Sequence, residues 1–145
     1  MSKKFKPDNM PTLSPYLAVL DAQRSLDFYQ KAFGFKLHSE PMRDESGKIG
    51  HCEMEFHGAF IMFSPESNWG SYASTVKMVA PKTIGTSRSA ALYVYCPDVD
   101  ALYNQAIAAG AKSIAEPQDA FWGDRYCSVE DIDGYIWSFG TILAN

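Results

Sequence analysis

Long apolar runs are missing from this sequence. No stretch of about 18 apolar residues occurs in its 145 residues, so it offers no helix able to span a bilayer. Clusters of Lys and Arg are missing too. Thirteen Lys+Arg against 17 Asp+Glu leave a formal net charge of −4, a poor surface for nucleic acid. The basic start, Met1-Ser-Lys-Lys-Phe-Lys-Pro, lacks the apolar run of a signal peptide. Cysteine is scarce: Cys52, Cys96 and Cys127 form an odd set with no CxxC or CxxxC pair. That excludes a zinc ribbon and a dense disulfide scaffold, and it fits reduced, packed thiols in a cytoplasm. What is present is aromatic: 14% of residues are Phe, Trp or Tyr, too many for a chain that never packs. The length suits one compact domain or two small halves with a full-sized core. Small-molecule chemistry or binding remains.

The sequence repeats itself. Leu13-Ser-Pro-Tyr-Leu-Ala-Val-Leu20 reads as a strand, and Asp21 is a good helix N-cap. Ala22, Leu26, Tyr29 and Phe33 then fall at helical spacing, and Gly34 supplies a C-terminal stop. Strand-like Phe35–His38, a polar turn over 43–48, a strand over 48–56, the tight turn His57-Gly58 and a strand over 59–64 complete β-α-β-β-β. The second half has the same order: a strand over 90–95, a helix from Pro97-Asp98 with Val99, Leu102, Tyr103 and Ala106 as its stripe, and a stop at Gly110. Short strands over 112–115, 125–129 and 135–139 follow, the last two flanking the turn Glu130-Asp-Ile-Asp-Gly134. Gly34 and Gly110 are 76 positions apart, as are Phe63 and Phe139. Pro65–Arg88, polar and rich in Ser, Thr and Gly, reads as a crossover loop.

Asp21-Ala-Gln-Arg-Ser-Leu-Asp-Phe-Tyr-Gln-Lys-Ala-Phe-Gly-Phe35 resembles the first helix of the vicinal oxygen chelate superfamily, which includes glyoxalase I, bleomycin-resistance proteins and extradiol dioxygenases. Pro97-Asp-Val-Asp-Ala-Leu-Tyr103, Ala108-Ala-Gly-Ala111 and Val129-Glu-Asp-Ile-Asp-Gly-Tyr135 resemble its second half. Phe121-Trp-Gly-Asp-Arg-Tyr126 is similar to the glyoxalase-like and PhnB-like branch. The resemblance implies an α+β fold: two tandem βαβββ modules whose mixed sheets curl around a shared cavity, with helices outside. It places residues 1–11 in an N-terminal extension, 12–64 in module one, 65–88 in a connecting loop and 89–142 in module two. It also implies a homodimer.

Metal-dependent members of that superfamily carry ligands on the first and last strand of each module. Carried over, those positions are Ser14 and Met62, then Ala91 and Ser138, where the family pattern has His or Gln, Glu, His and Glu. None is kept, so no metal and no cofactor are expected, and metal-dependent glyoxalase or dioxygenase chemistry is disfavoured. With His57-Gly58 as a two-residue turn, Glu53 faces Met62, which puts His51, Glu53 and Glu55 on the cavity face. Cys52, Met54, Phe56, Ile61 and Phe63 then pack beneath the helix. The same alternation adds Tyr16, Tyr93 and Tyr95 to the lining, and Cys127 near Ser138. For His51, Glu53 and Glu55 a solvated edge face is the competing reading, and for the tyrosines, ordinary core. Trp122, with Phe121, is a lid or rim of the cavity or an anchor for its loop.

The expected function is metal-independent binding of a small organic molecule, cationic or aromatic, as in resistance or sequestration. The alternative is a lyase or isomerase of glyoxalase type, with His51 and Glu53 as an acid–base pair or an unconventional metal site.

Overall fold

The structure, a computed structural model, describes residues 3–70, 76–86 and 88–144. Both predicted helices form where the sequence caps them. The Asp21 carboxylate accepts from the Arg24 N–H at 3.1 Å and opens α1, Ala22–Phe28. The chain continues as a π-helical turn, Tyr29–Phe33, and stops at Gly34 in the left-handed region. The wider turn puts Phe28, Tyr29, Ala32 and Phe33 all into the core. In the second half, Asp98 caps α3, Val99–Ala108, by accepting from the Ala101 N–H at 3.0 Å. Val99, Leu102 and Ala106 form its buried stripe.

Two mixed sheets carry the repeat. In the first, β1 (Tyr16–Val19) runs parallel to β5 (Ala59–Pro65), which pairs antiparallel with β4 (Ile49–Phe56). Two short pieces, β2 (Lys36–Leu37) and β3 (Met42–Arg43), share the far edge of β4. They take the place of one continuous third strand, and Pro41, which has no N–H for a ladder, lies in the gap between them. In the second sheet β6 (Ala91–Tyr95) runs parallel to β9 (Ile136–Ile142), followed by β8 (Asp124–Glu130) and β7 (Lys112–Asp119). β7 is twice its expected length. It holds Pro117 at a sheet edge, with register shifts on both sides of Ala115.

The hairpin register is the one expected: Phe56 faces Ala59, Glu55 faces Phe60 and Glu53 faces Met62. His57 and Gly58 both take positive φ, as a tight two-residue turn between twisted strands requires. Tyr16 pairs with Met62 and Tyr93 with Ser138, so the two modules repeat in register as well as in order.

The helix-bearing faces of both sheets meet in one core. Tyr29 packs on Trp137 with ring centroids 5.5 Å apart and Phe33 on Phe139 at 4.9 Å, while Gln105 Nε2 donates to the Ala32 carbonyl at 3.0 Å. The turn Glu130–Gly134 reaches into this core and clasps the first module. Asp131 accepts from Tyr29 Oη at 2.6 Å and Trp137 Nε1 at 2.8 Å, and Asp133 from Ser25 Oγ at 2.7 Å and the Leu20 N–H at 2.8 Å. The connecting segment adds a short helix α2, Pro81–Ile84, whose Lys82 N–H donates to the Asp133 carbonyl, and it buries Trp69 and Ala80. Residues 71–75 and 87 of that segment lie outside the described residues.

Among the described residues, nothing closes over the faces turned away from the core. Tyr16, Tyr93, Tyr95 and Trp122 all remain exposed, so the described residues do not enclose the expected shared cavity. All three cysteines are buried, and burial pushes the Cys52 and Cys127 thiols up to about 11 and raises Cys96. A thiol reagent is therefore expected to label none of them in the native protein and all three after denaturation.

Candidate functional site

Each outward face carries its own polar cluster. On the first, strand alternation brings Tyr16 of β1, His51 and Glu53 of β4, and Met62 and Ser64 of β5 to one side. Tyr16 Oη lies 2.6 Å from His51 Nδ1 and 2.8 Å from Ser64 Oγ, and His51 Nε2 lies 3.0 Å from Glu53 Oε1. The Tyr16 ring rests against Trp69, centroids 4.6 Å apart. His51 and Glu53 are half-buried, whereas Glu55 is exposed and turns to His38, 3.2 Å away. The His38 ring also packs edge-on against Phe60. Ser14, half-buried, precedes the start of β1.

On the second face the centre is Asp124, which lies one residue before the strand expected over 125–129. Asp124 opens β8, is only 4% exposed, and collects three donors on one oxygen. Tyr93 Oη lies 2.8 Å, Tyr95 Oη 2.9 Å and Trp122 Nε1 3.1 Å from Asp124 Oδ2. Trp122 Nε1 also reaches Tyr93 Oη at 3.2 Å, and its ring lies 4.9 Å from that of Tyr126. Burial and the bond to Asp124 hold the Tyr93 phenol up to about 12, and the same bond raises Tyr95, so both stay protonated donors at neutral pH. Gly123, with positive φ, turns the chain so that Trp122 folds back over the carboxylate two residues later. Phe121, 98% exposed, stands edge-on to Trp122. The available signal was the run Asp124, Tyr126, Ser128, which shares one face by parity. It was missed because the strand was expected to begin at Arg125.

The same parity corrects Cys127. It pairs with Phe139 and is fully buried in the core, and the partner of Ser138 is Ser128, with the two hydroxyls 2.7 Å apart. Placing Cys127 beside Ser138 was a one-residue slip, which turns a side chain to the opposite face of a strand.

Gly140 makes room for this cluster. A Cβ there would stand 2.5 Å from Tyr93 Oη and 3.0 Å from two atoms of its ring. Gly140→Ala is expected to push Tyr93 off Asp124 and to lower stability by about 1–3 kcal/mol, read by urea unfolding.

The positions that carry metal ligands in the vicinal oxygen chelate pattern do not fit a divalent ion. Ser14 and Ser138 offer neutral hydroxyls, Met62 a soft thioether and Ala91 nothing. Among the described residues no three His, Cys, Asp or Glu side chains gather where they could hold a metal ion. Nor is any helix there long and apolar enough to cross a membrane.

Similar proteins agree with this architecture. The "Uncharacterized protein Rv0887c" of Mycobacterium tuberculosis (strain ATCC 25618 / H37Rv) is 35% identical over 134 residues, 90% of this chain and 74% of that protein. TioX from Micromonospora sp. ML1 superposes with a TM-score of 0.70 at 27% identity, over 92% of this chain and 99% of that one. TnmS3, an antibiotic binding protein from Streptomyces sp. CB03234, shares the fold with a TM-score of 0.60 at 21% identity, over 90% of this chain and 93% of that one. The family model of the Glyoxalase/Bleomycin resistance protein/Dioxygenase superfamily matches residues 12–139. With tandem βαβββ modules over the same span, the chain belongs to that superfamily.

Proposed function

We propose that this protein binds a small aromatic or cationic organic molecule without a metal, as a sequestering or resistance protein of the cytoplasm. One observation carries the reading: a buried carboxylate, Asp124, framed by Tyr93, Tyr95 and Trp122 on an open face. Indole and phenol rings present flat apolar surface and a negative π face, and the carboxylate adds charge. All three donors end on Oδ2, and among the described residues Oδ1 accepts no hydrogen bond, which leaves it for a ligand ammonium or amide. The ligand-position residues argue against metal-dependent chemistry because their donors do not suit a divalent ion. That TnmS3 binds an antibiotic supports the capacity of this fold for such ligands.

The protein works as a homodimer in which a second copy borders the Asp124 face and leaves room there for the ligand. Phe121, Tyr95 and Ile142 are exposed apolar side chains of the kind an interface removes from water. The test is a thermal-shift screen of cationic, aromatic and peptide-like antibiotics in the presence of EDTA, with light scattering to give the mass. The reading expects a dimer and a stabilisation of several degrees by at least one aromatic compound. A monomer with stabilisation only after divalent metal is added would contradict it.

A further inference from the structure

On the first module's outward face the hydrogen-bond partners order donors and acceptors in one direction. A carboxylate oxygen only accepts, so His51 Nε2 donates its hydrogen bond to Glu53 Oε1, 3.0 Å away. In the neutral imidazole Nδ1 is then the acceptor, and Tyr16 Oη, 2.6 Å away, donates to it. With the phenol proton so committed, the 2.8 Å contact to Ser64 is made by Ser64 Oγ donating to Tyr16 Oη. Carboxylate, imidazole and hydroxyl follow one another in the order that activates a nucleophile: a base within reach of the hydroxyl, and a third group orienting the base.

The surroundings hold that order in place and leave it reachable. The Tyr16 ring is clamped between Trp69 and the edge of His51, centroids 4.6 and 5.4 Å away. β1 and β5 pair in register from Tyr16–Met62 onward, which sets Ser64 two residues along the same face. Tyr16 is still 39% exposed, so a ligand can approach it. The arrangement is separate from the Asp124 face and does not rest on binding there.

The geometry points to Tyr16 as a nucleophile that accepts an acyl group from an activated ester, with His51 as its base and Glu53 as a positioning residue. In the step, Tyr16 Oη bonds to the acyl carbon while its proton passes to His51 Nδ1. The Ser64 hydroxyl stabilises negative charge that develops on Oη as the proton leaves. Glu53 meets the charge that forms on the imidazole. The bond from the acyl carbon to the leaving oxygen breaks, and the imidazolium returns its proton to the alkoxide or aryloxide. Water then attacks the acyl-tyrosine with His51 again as base, releasing a carboxylic acid and restoring Tyr16. Ester and water enter; acid and alcohol leave.

The probe is 4-nitrophenyl acetate, added to the full-length protein in EDTA, with nitrophenolate release followed by absorbance and the adduct mapped by peptide mass spectrometry. A burst of one acetyl group per chain is expected, on Tyr16, trapped by acid quench before water removes it. Tyr16→Phe, which keeps the ring against Trp69, removes it. His51→Ala slows acetylation of Tyr16 by about 100-fold and removes the pH dependence that a histidine base gives its rate, a change no purely structural role would give. Glu53→Gln lowers the rate and shifts the His51 ring-nitrogen resonances, because the partner that fixes the tautomer has lost its charge. Acetylation confined to lysines, a Tyr16→Phe rate equal to that of the unmodified protein, or a His51→Ala rate that keeps the pH dependence of the unmodified protein would overturn the assignment.

Discussion

Replacing Asp131 with asparagine is expected to lower unfolding stability by about 3–5 kcal/mol. Both carboxylate oxygens are committed. Oδ1 accepts from the N–H groups of Asp133 and Tyr135, both at 2.9 Å, and Oδ2 from Tyr29 and Trp137. An amide offers one oxygen and turns its NH2 toward donors, so at least two buried donors lose their acceptor. Tyr29→Phe, which removes a single donor, costs about 1 kcal/mol by comparison. The pH dependence carries a definite sign. Burial raises Asp131 from 3.8 to about 6, with the bonds from Tyr29 and Trp137 offsetting part of that rise, and burial also raises Asp133. A carboxyl raised on folding binds its proton more tightly in the folded chain. Its stabilising contribution is therefore present below about pH 4 and is lost as the pH rises through 6. Urea unfolding of both proteins at pH 4.5 and pH 7 checks this: the penalty of Asp131→Asn is larger at pH 4.5.

Truncating Trp122 to alanine is expected to weaken ligand binding at least 30-fold while leaving the fold nearly as stable as before. The side chain is 47% exposed and lies outside the core, so little packing is lost. In binding, a central aromatic ring is the type of group whose removal costs about 2 kcal/mol or more. Asp124→Asn separates charge from shape. The amide oxygen can still receive Tyr93, Tyr95 and Trp122, but the negative charge is gone. Cationic ligands then lose affinity and neutral aromatic ones keep it, a contrast that calorimetric titration of a matched pair reads directly.

The sequence made the fold legible because local signals and long-range order agreed. Asp21 and Asp98 as caps, Gly34 and Gly110 as stops and the His57-Gly58 turn are each a local choice. The 76-residue offset then tied the two halves together. The first face was legible for the same reason: once the turn fixed the register, His51, Glu53 and Met62 had to share a side. Asp124 was not, since its role depends on where β8 begins, and strand ends are set by pairing partners such as Ile142 that periodicity does not reveal. Cys127 shows how strict that dependence is, because one position separates the site from the core. Asp131 and Asp133 looked like turn residues. They are buried because Tyr29 and Ser25, more than 100 residues away in the chain, supply their donors. The open faces were hidden for a different reason: the repeat gives the two modules but not which of their faces meet.

On the proposed function an aromatic ligand seats on Asp124 and Trp122 without a metal. The most direct measurement is the indole N–H spectrum of the 15N-labelled protein, in EDTA, during titration with a panel of planar aromatic antibiotics. The three indoles are Trp69, Trp122 and Trp137, and the Trp122 signal is identified by its absence in Trp122→Ala. The expected result is a saturable shift of the Trp122 resonance, with the core indole of Trp137 left in place. A Trp122 resonance that no compound moves, or that moves only after a divalent metal is supplied, would contradict it.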